Sequence, residues 1–173
     1  MKKKIDRFEF ANLRQFKGKY KIAFDEKLNF ITGNNGSGKS TLIEGINAVL
    51  GKEIDNAESL INKSKIAAHI KVIFDDDTSV MLKLLKEDDK IRKMYFINNR
   101  YTTQEEVKKY TNDLNIEILD NYGVTLDKDE LTKAIQDLKA ENKQYIVAGI
   151  RNEIIDVADR TIRIEDLKQC VIV

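Results

Sequence analysis

An α/β fold with a parallel core sheet and an antiparallel β flank is predicted by two patterns. Toward both ends of the chain, short apolar segments alternate with stretches of helical period, which favours parallel strands linked by helices. In the middle, residues 69–74, 80–85 and 92–97 are strand-like and are separated by acidic turn segments. These three segments predict an antiparallel meander beside the core sheet.

The N-terminal half begins with two predicted strands, residues 5–10 and 20–24, joined by a polar turn. A third strand covers residues 28–31. The helix that follows the next loop has an apolar stripe and stops at Gly51; the stripe consists of Leu42, Ile43, Ile46, Val49 and Leu50. The polar segment 52–65 is predicted to be a surface connection.

In the C-terminal half, a capping box at residues 103–106 predicts a helix of about three turns that ends near Asn115. Asp127 is the predicted N-cap of a further helix. The remaining elements are predicted strands at residues 116–120, 145–148 and 161–164 and a short helix at residues 150–157.

Composition indicates a single cytoplasmic domain covering residues 1–173. The 30 basic and 29 acidic side chains nearly cancel, so that any contact with DNA must use a restricted surface. No apolar run is long enough to span a membrane, and the lone Cys170 cannot form an internal disulfide. The last four residues have the form of a prenylation box, but without a polybasic run beside them a terminal strand or tail is favoured.

Residues 33–41 have the spacing of a phosphate-binding loop, G-x-x-x-x-G-K-[ST], between a predicted strand and a predicted helix. Backbone N–H groups at such a helix N-terminus favour a polyphosphate. The predicted ligand-binding residues of this loop are Gly33, Asn34, Asn35, Gly36, Ser37, Gly38, Lys39, Ser40 and Thr41. A glycine-rich turn with a solvated lysine is the alternative.

Three side chains of this loop have separate predicted roles. Lys39 reaches the terminal phosphates, Ser40 ligates Mg²⁺ through its hydroxyl, and Thr41 donates to the innermost phosphate. The predicted cofactors are therefore ATP and Mg²⁺. No evident guanine-specifying motif accompanies the loop, because residues 62–65 end in lysine where an aspartate is needed.

With these motifs in order, the chain resembles the nucleotide-binding head of the ABC-type ATPases, in the branch of the SMC, RecF and double-strand-break-repair proteins. The resemblance is strongest over residues 10–16 and 24–44. It implies that Arg14 lies close to the nucleotide phosphates. It also implies that residues 116–120 form the Walker B strand, whose Asp120 holds the Mg²⁺ shell, and that Leu126 and Asp127 begin the D-loop.

The chain departs from this family at three places. Asn121 stands where the catalytic glutamate follows the Walker B aspartate, and Gly149 stands where the switch histidine belongs. The L-S-G-G-[QE] signature is absent from the sequence, and only Thr102, Thr103 and Gln104 occupy its approximate place. Lys39 and Asn121 are therefore the candidate catalytic residues of a site with impaired chemistry.

These observations predict an ATP- and Mg²⁺-binding module whose hydrolysis is weak or depends on a partner. The resemblance implies DNA, or a DNA-processing protein, as the macromolecular partner. Without the signature motif, an ATP-sandwich homodimer is not expected. The alternatives are a non-hydrolysing, nucleotide-dependent interaction module and a small P-loop kinase, although the scattered arginines do not form the lid cluster of a kinase.

Overall fold

The computed structural model describes residues 2–170 and shows the predicted combination of strand–helix alternation toward the C-terminus and a β-meander in the middle. The strands are β1 (Ile5–Leu13), β2 (Phe16–Ala23), β3 (Leu28–Thr32), β4 (Ala67–Phe74), β5 (Ser79–Glu87), β6 (Lys90–Ile97), β7 (Arg100–Thr102), β8 (Ile116–Leu119), β9 (Gln144–Ala148) and β10 (Arg160–Arg163). The helices are α1 (Lys39–Val49), α2 (Gln104–Thr111) and α3 (Lys128–Ala140). Short 3₁₀ turns cover Glu58–Leu60, Asn152–Ile154 and Ile164–Asp166.

The strands form two sheets, which confirms the predicted parallel core and antiparallel flank. The antiparallel sheet has the order β2-β1-β4-β5-β6-β7, and the parallel sheet has the order β10-β3-β9-β8. All strand pairs of the second sheet are parallel. The carboxyl ends of its four strands therefore lie along one edge.

Helix α1 packs between the two sheets and belongs to the larger core. Its Leu42, Ile46 and Val49 are fully buried together with residues of both sheets, such as Phe8 and Ile146. The other face of the parallel sheet packs against α3 in a second core, formed by Leu28, Phe30, Tyr145, Val147, Leu131, Ile135 and Ile154. Strands β3 and β9 are covered on both faces, which explains why all of their residues are buried.

Several predicted boundaries are wrong for identifiable reasons. The connection 52–65 is not wholly at the surface, because Leu60 and Ile61 are buried and Ile61 forms a β-bridge with Leu13. Helix α2 has eight residues and ends at Thr111, earlier than predicted. The predicted helix at 150–157 contains only a short 3₁₀ turn. The apolar run at residues 116–119 predicts a buried strand, but β8 is only half-buried because it lies at the edge of the sheet.

Two further predictions concern the C-terminal tail and membrane-spanning segments. The prenylation-like tail continues past Cys170 into residues 171–173, which lie outside the described residues. Within residues 2–170, no helix has the length and apolar character needed to cross a membrane.

Candidate phosphate-binding site

The predicted phosphate loop connects the end of β3 to the start of α1. Gly38 is the residue that precedes the helix, and its φ of 115° lies in the region that favours glycine. A Cβ atom at this position would lie 2.6 Å from Gln15 Nε2 and from the ring of Phe16. The β1–β2 turn therefore packs directly against the loop, and only glycine fits between them.

Lys39 is buried inside the loop although it is charged. Its Nζ donates hydrogen bonds to the carbonyl oxygens of Gly33 at 2.6 Å and Asn34 at 3.0 Å, and the residue is only 8 % exposed. The loop thus wraps around its own lysine. The first N–H groups of α1, next to Lys39, have no acceptor within the helix. Free amide donors at the start of a helix, next to an ammonium group, suit the binding of a polyphosphate.

Arg14, the loop and Asn121 meet at one depression of about 280 Å³. It is lined by Arg14, Gln15, Asn35, Gly36, Gly38, Lys39, Ser40, Thr41 and Asn121. Asn121 follows β8, which is separated from β3 by one strand, so that the common edge of the sheet brings it to the loop. Its φ of 50° is a left-handed conformation that asparagine tolerates well.

The two predicted Mg²⁺ ligands are both exposed, and of the two only Ser40 is among the residues that line the depression. Asp120 follows β8 directly, and its Oδ1 accepts the N–H of Asn121 at 2.9 Å. Ser40 lies in the first turn of α1. Among residues 2–170, no group of three or more His, Cys, Asp or Glu side chains is arranged as a metal site. The residues still fit Mg²⁺, which usually keeps several water ligands and adds one or two carboxylates and the phosphates of its nucleotide.

Gly149, where the resemblance implies a switch histidine, lies in a tight gap at the end of β9. Its N–H donates to the carbonyl oxygen of Ile31 at 3.1 Å. A Cβ atom here would lie 3.3 Å from Tyr122 O and 3.4 Å from the ring of Phe30. Arg151, two residues later, donates to the carbonyl oxygens of Gly123 and Leu126 and so holds the segment that follows Asn121.

Three residues at the site were missed by the sequence reasoning: Gln15, Glu44 and Ser59. The Thr41 hydroxyl donates to Gln15 Oε1 at 3.0 Å, while Glu44 and Ser59 accept hydrogen bonds from Arg14. Glu44 is three residues after Thr41 in the same helix, and this spacing places the two side chains on one face. This spacing in the sequence could have identified Glu44 as a neighbour of the loop. No comparable sequence pattern points to Ser59.

The strand order, the loop and its buried lysine together define a P-loop domain of the ABC type. The profile of a family described as "AAA domain" matches residues 7–171, so the chain belongs to that family. A DNA repair protein RecN from Rickettsia felis is 26% identical over 168 residues, covering 78% of this chain and 30% of RecN. The chromosome partition protein Smc of Thermoplasma acidophilum is 31% identical over 113 residues, covering 60% of this chain and 10% of Smc.

Among solved structures, an SMC head bound to the C-winged helix domain of ScpA has the same fold. The TM-score is 0.76 at 15% identity, with 92% of this chain and 93% of that chain covered. The chain is therefore similar to SMC-type ATPase heads, as the resemblance in the sequence predicted. It spans less than a third of the length of RecN and a tenth of Smc.

Proposed function

We propose that this chain is an ATP- and Mg²⁺-binding head whose ATP hydrolysis is slow or depends on a partner. The observation that carries the proposal is the meeting of the phosphate loop, Arg14 and Asn121 at one depression. In this proposal Lys39 releases the two loop carbonyls and neutralises the terminal phosphates. Ser40 and Asp120 hold the Mg²⁺, which screens the phosphate charge when it is bound.

Asn121 supports the slow hydrolysis. In-line attack on the γ-phosphate needs a group that orients a water molecule and accepts its proton. An amide can orient the water but cannot accept the proton near neutral pH. Asn121 therefore favours nucleotide binding without efficient turnover. The Lys39 ammonium would stabilise the negative charge that develops on the γ-phosphate.

Thermal unfolding with and without ATP and Mg²⁺ tests the binding. We expect Lys39→Ala to abolish most of the ATP-induced rise in thermal stability, because a ligand held only by the folded chain stabilises it by mass action. Lys52→Ala, which removes an exposed lysine just after α1, is the matched control. Equal stabilisation of Lys39→Ala and the control would exclude the loop as the phosphate site.

The proposed macromolecular partner is DNA. Among the relatives, RecN is named a DNA repair protein and Smc a chromosome partition protein. The net charge of the chain is only +1, so a DNA contact requires a local concentration of positive charge. The proposed role is cytoplasmic.

Such a concentration exists on the outer face of the antiparallel sheet, defined here by the side chains that point away from α1. Two neighbouring cross-strand rows in the middle of this outer face carry the charge: Lys19–Ala11–His69–Lys83–Met94 and Lys21–Glu9–Lys71–Met81–Phe96–Tyr101. Glu9 is the one acid in these rows. Partial burial lowers the pKa of His69, and the ammonium groups of Lys83 and Lys19 lower it further, as expected in a positive field.

Binding of a short DNA duplex, measured by fluorescence anisotropy at several salt concentrations, tests this partner. We expect the double variant Lys71→Ala, Lys83→Ala to weaken binding and to reduce the salt slope by roughly two units, about 0.9 for each lost phosphate contact. The control, Lys128→Ala with Lys133→Ala, removes the same charge from α3. Equal affinities of the two double variants would argue against the outer face.

A non-hydrolysing, nucleotide-dependent interaction module is the second candidate function, and the amide at Asn121 favours it. The solved SMC head carries a protein domain of ScpA, and a protein ligand on this chain would fit such a module. ATP turnover measured with and without DNA separates the two functions. A small kinase would transfer phosphate to a second substrate and has less support from the scattered arginines.

A further inference from the structure

The guanidinium of Arg14 has all of its donors engaged by the protein. Nε donates to Ser59 O at 3.1 Å, and Nη2 donates to Glu44 Oε2 at 2.6 Å and Ser59 Oγ at 3.2 Å. Nη1 donates to Thr41 Oγ1 at 3.1 Å and Glu44 Oε1 at 3.3 Å. A guanidinium has five N–H donors, and these contacts use five. In this arrangement, Arg14 has no donor left for a phosphate.

Glu44 is the anionic partner of the Arg14 guanidinium in this structure. Its two carboxylate oxygens contact Nη1 and Nη2 side by side, the geometry in which arginine also binds phosphate. Arg14 lines the depression formed by the phosphate loop and already contacts Thr41 of that loop. A bound nucleotide and the Glu44 carboxylate are therefore competing anions for one guanidinium.

The exchange of partners has a low cost because the ion pair is at the surface. The side chain of Arg14 is 33% exposed and that of Glu44 is 50% exposed. Exposed ion pairs contribute little to stability, since water replaces the lost partner. The Glu44 carboxylate can be solvated as soon as Arg14 leaves it.

Arg14 also connects the phosphate loop to the 3₁₀ turn Glu58–Leu60. Besides the two contacts with Ser59, its backbone N–H donates to Leu60 O at 2.8 Å, and its carbonyl oxygen accepts from Asn62 Nδ2 at 2.6 Å. Movement of the guanidinium toward a phosphate would break the two Ser59 contacts and keep the two backbone contacts. The loosening would therefore be confined to the turn.

We propose that Glu44 is a positioning residue that keeps the Arg14 guanidinium engaged beside the phosphate site, and that nucleotide binding transfers Arg14 from Glu44 and Ser59 to a phosphate. The state of the site is thereby transmitted to the surface around Ser59. This inference rests on the proposed nucleotide binding and adds a mechanism by which binding is sensed.

Glu44→Gln tests the competition through nucleotide affinity. We expect the affinity for ATP and for ADP to rise by roughly two- to fivefold, the size of one exposed ion pair, and the affinity for adenosine to stay unchanged. Glu58→Gln is the matched control, because it removes the same charge from a nearby carboxylate that pairs with Lys86 instead. Unchanged or weaker ATP binding by Glu44→Gln would overturn the proposal.

The Arg14→Ala background distinguishes competition between Glu44 and phosphate for Arg14 from a direct electrostatic effect of the Glu44 charge on the nucleotide. If Glu44 acts through Arg14, Glu44→Gln gives no gain in ATP affinity when Arg14 is already alanine. A gain that persists in this background would overturn the role of Arg14. If the unaltered chain binds no ATP, the proposed function itself fails; if it binds ATP but ignores Glu44→Gln, only this inference fails.

Hydrogen exchange tests whether nucleotide binding releases the 3₁₀ turn Glu58–Leu60 from Arg14. We expect ATP to speed the exchange of amide protons in residues 58–61 of the unaltered chain. In Arg14→Ala the same amides should exchange faster without nucleotide and should not respond to ATP. Exchange in residues 58–61 that ATP slows or leaves unchanged would show that the turn is not released.

Discussion

Gln144 and Ile5 exchange two hydrogen bonds of 2.8 Å each, from Ile5 N to Gln144 Oε1 and from Gln144 Nε2 to Ile5 O. Gln144 begins β9 of the parallel sheet, and Ile5 begins β1 of the antiparallel sheet. Gln144 Nε2 also donates to Asp25 O at 2.8 Å, just before β3. Both Gln144 and Ile5 are buried, so that one amide side chain joins the two sheets between which α1 packs.

The first prediction is that Gln144→Leu destabilises the chain by about 2–6 kcal/mol. The substitution leaves the N–H and C=O groups of Ile5 buried without partners, and each such group costs about 1–3 kcal/mol. The free energy of unfolding from urea titrations is the measurement. Gln136→Leu, at an exposed position of α3, is the control and should change it by less than about 0.5 kcal/mol.

The second prediction distinguishes two glycines of the phosphate loop. Gly38→Ala should abolish nucleotide binding and destabilise the chain by more than about 1–3 kcal/mol, because it combines backbone strain with a Cβ atom 2.6 Å from Phe16. Gly36 also has a positive φ, of 77°, but a Cβ there meets no atom within 4 Å.

Gly36→Ala should therefore cost only the backbone term, about 1–2 kcal/mol. Thermal unfolding and calorimetric titration with ATP measure both variants. Equal losses in the two variants would show that the contact with the β1–β2 turn is unimportant for the loop.

The parts of the fold that the sequence predicts are those whose signals are local. The spacing of residues 33–41 predicts the loop, and Asp127 as N-cap predicts the start of α3, where the structure adds the reciprocal hydrogen bond from Asp127 N to the Glu130 side chain. The hydrogen-bond partners of Arg14 and of Gln144 could not be predicted from a local signal. Ser59 is 45 residues from Arg14, and Ile5 is 139 residues from Gln144, so that no local pattern relates them.

The third prediction concerns acid stability and the pair of Lys3 and Asp76. Lys3 Nζ lies 2.8 Å from Asp76 Oδ2, and the hydrogen bond from Lys3 lowers the pKa of Asp76 to about 2, with a further contribution from Thr78. Because the folded-state pKa lies below the unfolded-state value, the stabilisation is present above about pH 4 and is lost as the pH falls through about 2.

Asp76→Asn should accordingly destabilise the chain at pH 6 by up to about 1 kcal/mol, since the Asp76 side chain is partly exposed. The difference from the unaltered chain should shrink in urea titrations toward pH 2. Asp89→Asn, in the next acidic turn, is the control. A difference that stays constant between pH 6 and pH 2 would contradict the role of the Asp76 charge.

The fourth prediction is that ATP does not drive a sandwich homodimer. The resemblance to SMC-type heads implies a dimer in which the signature serine of each head contacts the nucleotide bound to the other head. Here the Thr103 hydroxyl accepts the N–H of Glu106 and serves as the N-cap of α2. Light scattering should give a monomer mass with and without ATP. A dimer that forms only with ATP, and that Thr102→Ala with Thr103→Ala abolishes, would show that this segment replaces the signature.

The fifth prediction concerns turnover and follows from Asn121. The isolated chain should hydrolyse ATP far more slowly than the ~1–10³ s⁻¹ of ordinary enzymes, because general-base assistance is worth roughly 10²–10⁴-fold. Asn121→Glu should raise the rate at the cost of some stability, since glutamate is less favourable than asparagine at a φ of 50°. Asn121→Gln, which keeps the amide on the longer side chain, is the control and should not raise it.

Adding Gly149→His to Asn121→Glu should give a smaller gain than the missing imidazole alone would suggest. The new Cβ atom would press on Tyr122 O at 3.3 Å, next to residue 121, and so disturb the group that orients the water. The two effects should be non-additive, because both side chains serve one transition state.

Steady-state phosphate release by the pure chain measures all variants. Brisk hydrolysis by the unaltered chain that Lys39→Ala abolishes would show that another carboxylate, such as Glu117, Asp127 or Asp129, is the base.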